Sequence, residues 1–110
     1  MDTYQNPQLD ALGDATRRGI LARLIDGPRP VGELARDFPV SRPAISQHLG
    51  VLKEAGLVSE RREGTRRFYR ARPEGLKELK EFLEGFWTFS LAHLKREAEA
   101  EERKKRGSRN

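Results

Sequence analysis

Proline and glycine punctuate this chain so regularly that they set the lengths of its elements before hydrophobicity is considered. Asn6-Pro7 is a helix start, a capping side chain followed by a residue whose fixed φ suits the first helical position. Gly13 ends that segment, Asp14 is placed to cap a second helix, and Gly27-Pro28 stops it. A third helix follows Pro28-Arg29-Pro30. Pro39 forces Phe38 out of helical geometry, the Ser41 hydroxyl is placed to cap a fourth helix, and Gly56 closes it. Glu63-Gly64-Thr65 is a tight-turn signal, and Pro73 opens a last helical stretch.

Apolar spacing fills in the types. Leu9 and Leu12 give the first helix one stripe, and Ala15, Ile20, Leu21, Leu24 and Ile25 give the second a broad face. Val31, Leu34, Ala35 and Phe38 fall at i, i+3, i+4 and i+7, and Ile45, Leu49 and Leu52 line the fourth helix. Residues 57–62 and 66–70 change period to short, partly alternating runs, a two-stranded hairpin carrying arginines. From Pro73 the stripe returns with Leu76, Leu79, Phe82, Leu83, Phe86, Phe89, Ser90 and Leu94. The expected fold is mainly α with a small β-hairpin, one domain over residues 1–110.

Length agrees, since 110 residues is near the modal domain size. Leu, Ile, Val and Phe number 25, enough for a thin core. With no Cys, a disulfide scaffold, a thiolate metal site and a Cys nucleophile are excluded together. No apolar run approaches the ~18 residues of a membrane span, and the N-terminal residues lack signal-peptide character, so a soluble, cytoplasmic chain is expected. The net charge is +5, and residues 41–72 carry eight basic against three acidic side chains, which equals that excess. A located basic segment is the electrostatic footprint of a polyanionic partner.

A short helix, a turn, a capped second helix and a basic hairpin occur in the order of a winged helix-turn-helix. Residues 31–55 read as the helix-turn-helix and 57–71 as the wing. Ile45, Leu49 and Leu52 anchor the second helix, leaving Arg42, Pro43, Ser46 and Gln47 on the opposite face at its N-terminus. Arg42 suits a guanine or a phosphate, Gln47 matches the edge of adenine, and Ser41 and Ser46 reach either. In the hairpin, Arg61, Arg62, Arg66 and Arg67 surround a tip whose Gly64 allows close approach to a phosphate backbone or minor groove.

Three stretches, LDALGDATRRGI at 9–20, VGELARDFPVSRPAISQHLGVLKEAGLV at 31–58 and RREGTRRFYRA at 61–71, together resemble the ArsR family of winged helix-turn-helix repressors. The resemblance spans about residues 5–100. It implies a homodimer built through the first and last helices, binding a twofold-symmetric operator and repressing transcription, often of its own operon. It also implies base or phosphate contact at Arg42, Pro43, Ser46 and Gln47, with wing contacts near Gly64. Metal-sensing members carry Cys-x-Cys in the third helix or Asp/His and His/Glu pairs on the last. Here the third helix has Leu34-Ala35-Arg36-Asp37 and the last a single histidine, His93, so the sequence is similar to the metal-independent, SdpR-like autorepressor branch, with no cofactor. Pro30 stands where the family often has a Ser or Thr cap.

Assembly has an independent argument. A last helix over 73–103 is roughly 45 Å long at ~1.5 Å per residue, against a radius of gyration near 13 Å for a domain of about 100 residues. A thin core cannot cover Phe82, Phe86, Trp87, Phe89 and Leu94. Packing two such helices across a twofold axis, with Leu9 and Leu12 of the first helix, is the economical solution. Residues 104–110 read as a charged, frayed tail. His48 is expected to pack or hydrogen-bond within the motif, and His93 to fill a helix face. A small-molecule or protein inducer is compatible with this reading, and no residue selects one. Enzymatic activity is not expected, because Ser41 or Ser46 with His48 has no oxyanion cradle and there is no phosphate-binding glycine loop.

Overall fold

A computed structural model describes residues 5–108. In chain order the elements are α1 (Pro7–Ala11), α2 (Ala15–Ile25), β1 (Arg29–Pro30), α3 (Val31–Asp37), α4 (Arg42–Glu54), β2 (Val58–Glu63), β3 (Arg66–Ala71) and α5 (Pro73–Ser108). The caps fall where the sequence puts them. Asn6 accepts the Leu9 N–H at 2.9 Å, Asp14 the Arg17 N–H at 3.0 Å and Ser41 the Ala44 N–H at 3.2 Å. Pro30, with no side chain to accept, starts α3 uncapped.

The α4 terminus is a Schellman turn. Leu57 N–H reaches the Leu52 carbonyl at 2.9 Å and Gly56 N–H the Lys53 carbonyl at 3.0 Å, while Gly56 takes a φ of +78°. Arg72 then donates to the Gly56 carbonyl at 2.8 Å. Gly75, in the first turn of α5, lies so close that a Cβ there would stand 2.0 Å from the same oxygen.

Ile20, Leu21, Leu24, Leu34, Ile45, Leu49, Leu52, Leu57, Val58 and Tyr69 are buried together as the core. Several expectations are corrected. The sheet has three strands in the order β1-β3-β2, because Arg29 pairs with Tyr69 and Pro30 with Phe68. The extended geometry that Pro28 and Pro30 impose ends α2, and it also shapes a short edge strand where a missing N–H is tolerated. In α1 the buried residues are Gln8 and Ala11, while Leu9 is exposed and Leu12 half-buried. Gln8 is drawn inward by donating to Glu78 at 2.8 Å. Ala15 and Ile25 are exposed, which narrows the inward face of α2 to Ile20, Leu21 and Leu24. Finally, α5 continues to Ser108, so residues 104–108 are helical instead of a frayed tail.

The chain divides into two units, residues up to Leu79 and residues from Lys80 onward. The first holds the core, the sheet and the opening turns of α5, where Leu79 is buried and Leu76 packs against the core. The second is helical, with Phe82 and Phe86 stacked at 6.3 Å between ring centroids. Its Phe86, Trp87, Phe89 and Leu94 are 47%, 64%, 65% and 62% exposed. Among the described residues no helix is long and apolar enough to cross a membrane.

Candidate nucleic-acid interface

The α4 helix buries Ile45, Leu49 and Leu52 and turns Ser41, Arg42, Pro43, Ser46 and Gln47 to solvent. Arg42 and Ser46, one turn apart, line a groove together with Thr65, Arg66, Arg67 and Tyr69 of the wing and Glu33 and Arg36 of α3. The fold thus brings two of the five recognition-helix candidates and two of the four wing candidates to one concavity. Gln47 lies in a separate depression with Arg17, His48 and Val51. Arg61 and Arg62 are exposed on the wing outside the groove.

The hairpin register sorts the wing by face. Gly64, at a φ of +62°, opens a two-residue loop that sets Glu63 opposite Arg66, Arg62 opposite Arg67 and Glu60 opposite Tyr69. Alternation then puts Glu60, Arg62, Arg67 and Tyr69 on one face and Arg61, Glu63, Arg66 and Phe68 on the other. Directly opposed Arg62 and Arg67 repel, and an approaching polyanion relieves that repulsion. On the second face Arg61 is ion-paired with Glu63, and Arg66 sits 5.2 Å over the Phe68 ring.

Glu60 is the acid at the junction of wing and α4. It accepts from Lys53 Nζ at 3.3 Å and from the Tyr69 hydroxyl at 3.1 Å, with Arg67 Nε 3.6 Å away. Burial raises a carboxyl pKa, but hydrogen bonds from Lys53 and Tyr69 and the nearby cations outweigh it, so Glu60 is held below the usual range. Tyr69 is pushed up, first by burial and then by donating to that carboxylate. Sequence reasoning missed Glu60, Glu33, Arg36 and Tyr69 because their convergence depends on register and on how α3 meets the sheet.

A second polar junction holds α4 from behind. Arg17 donates through Nε to the Ala11 carbonyl, and its Nη1 lies 3.3 Å from His48 Nδ1, itself 4.0 Å from Asp14. The Arg17 backbone N–H, more than any other group, holds the Asp14 carboxyl below its ordinary range. His48 is half-buried in this junction, next to exposed Gln47, in keeping with a packing role.

The chain is similar to known proteins in sequence and fold. The Helix-turn-helix domain family model matches residues 12–61. Over 93 residues the chain is 57% identical to the HTH-type transcriptional regulator Rv2034 of Mycobacterium tuberculosis, covering 83% of this chain and 87% of the relative. It is 41% identical over 64 residues to the transcriptional repressor SdpR of Bacillus subtilis, covering 58% and 71% respectively. A solved ArsR-like transcriptional regulator from Rhodococcus sp. RHA1 superposes with a TM-score of 0.68 at 35% identity, covering 82% of this chain and 88% of the other.

Proposed function

The chain belongs to the ArsR family of winged helix-turn-helix transcriptional regulators, which bind DNA and are not enzymes, and from that premise we propose that it is a homodimeric, metal-independent repressor of its own operon. The observation that carries the DNA-facing part is the groove where Arg42 and Ser46 meet Arg66 and Arg67, inside the segment that holds the entire net charge. In this reading Ser41, Arg42, Pro43, Ser46 and Gln47 enter a major groove, while Arg61, Arg62, Arg66 and Arg67 lie along the phosphate backbone or minor groove. The domain comprises a helix-turn-helix at 31–55, a wing at 57–71 and the dimerising α5.

Exposure of Leu9, Phe86, Trp87, Phe89 and Leu94 supports an assembly through α1 and α5, because so many large apolar groups on one chain call for a cover. In this reading Leu12 of α1 and Phe82 of α5, each half-buried, take part in the assembly as well. Metal independence is supported by the donor set: the chain has no Cys, and among the described residues His93 has one carboxylate neighbour, Glu97 at 4.0 Å, on the same helix.

Protection mapping of the DNA upstream of the chain's own gene, with selection from random duplexes, tests the proposal. Two half-sites about one helical turn apart (~34–36 Å), or a multiple of that spacing, and related by a twofold axis are expected. A single asymmetric site would overturn the symmetric operator, and protection only at other promoters would overturn autoregulation.

A further inference from the structure

Within the basic segment, one acid stands apart from the others. Residues 41–72 contain Glu54, Glu60 and Glu63. Glu54 and Glu63 are exposed, whereas Glu60 is partly buried and engages three groups from two elements. Its cationic partners are Lys53 on α4 and Arg67 on the groove wall, and Arg62 stands directly across from Arg67. We propose that Glu60 is a specificity-determining residue of this DNA-binding protein, a carboxylate that competes with phosphate for Lys53 and Arg67 and so holds down affinity for non-operator duplex, where no base contacts offset the loss of its ion pairs.

The physical basis is counterion release. Sequence-independent affinity grows with the number of phosphates neutralised by Lys and Arg, and each one steepens the salt dependence by about 0.9 in log–log slope. A cation already paired with a fixed carboxylate displaces fewer counterions, and the carboxylate itself repels the phosphates. Base-edge contacts from α4 do not depend on that count, so an acid placed among the wing cations lowers non-specific binding more than specific binding. The inference rests on the DNA-facing assignment of the groove.

The test is a salt series of binding to a short duplex of scrambled sequence. Glu60→Gln keeps a side chain able to accept from Tyr69 while removing the charge. It is expected to tighten binding about three- to tenfold and to steepen the slope by about one to two, one for each cation released to phosphate. Glu54→Gln removes an equal charge from an exposed acid of the same segment that lies outside the groove, and a slope near wild type is expected. An unchanged or shallower slope in Glu60→Gln, or an equal steepening in Glu54→Gln, overturns the proposal. Lys53→Gln, at a half-exposed side chain, gives a reading even if the Glu60 variant does not fold. An unchanged slope is expected, and a loss of a full unit would mean that Lys53 already sits on phosphate. If the wild-type chain does not bind the duplex, the functional reading falls; if it binds and Glu60→Gln leaves the slope alone, only the Glu60 proposal falls.

Discussion

The Ser41 hydroxyl accepts the Ala44 N–H at 3.2 Å, so its first duty is to cap α4, and a proposed phosphate contact must use its remaining hydrogen. Asp caps as well as Ser but brings a negative charge to the DNA-facing end. Ser41→Asp is therefore expected to keep the thermal midpoint near wild type while weakening operator binding about tenfold. A lowered midpoint with unaltered binding would assign Ser41 to the fold alone. Gln47, exposed nearly two turns further along beside the Arg17–His48 junction, has no such structural duty. Gln47→Ala should relax discrimination at one base position per half-site by about 1–3 kcal/mol, read by competition with base-substituted operators. Equal discrimination by variant and wild type would remove it from base reading.

At the scale of elements, α4 and α5 are keyed to each other through a backbone contact. A Cβ on Gly75 would stand 2.0 Å from the Gly56 carbonyl oxygen, which already accepts from Arg72. Backbone cannot yield there as a flexible side chain would, so Gly75→Ala is expected to destabilise the fold by about 3 kcal/mol or more in denaturant unfolding. A Cβ on Gly85, also in α5, would meet nothing within 4 Å outside its own helix backbone and chain neighbours, and Gly85→Ala should be neutral or add up to ~1 kcal/mol of helix propensity. Equal effects at the two positions would refute the keying. The wing divides similarly. Arg66, stacked on Phe68, has no acidic partner among the described residues, while Arg61 is tied to Glu63. Arg66→Gln should flatten the salt slope of DNA binding by about one and Arg61→Gln by less, although an exposed pair withholds a cation only weakly.

For the whole molecule, assembly is the central proposal. Trp87, 64% exposed in the single chain, is the largest apolar group on the α5 face. Trp87→Asp is expected to sediment as a monomer and to lose most of its operator affinity, because two half-sites no longer act through one linked pair. A Trp87→Asp dimer of wild-type mass would move the interface elsewhere. What the sequence determined by itself were the features that arise locally. The caps at Asn6, Asp14 and Ser41, the Gly56 stop and the Gly64 turn depend on neighbours within a few residues, and the concentration of net charge in 41–72 needs no coordinates at all. Tertiary structure alone decided which face of α1 turns inward, that Arg29-Pro30 joins the sheet, and that Arg42 and Ser46 share a groove with Arg66 and Arg67. It also set Glu60 between Lys53, Tyr69 and Arg67. Periodicity records which residues share a face of one element, whereas these meetings depend on strand register and on how separate elements pack, and no local signal encodes either.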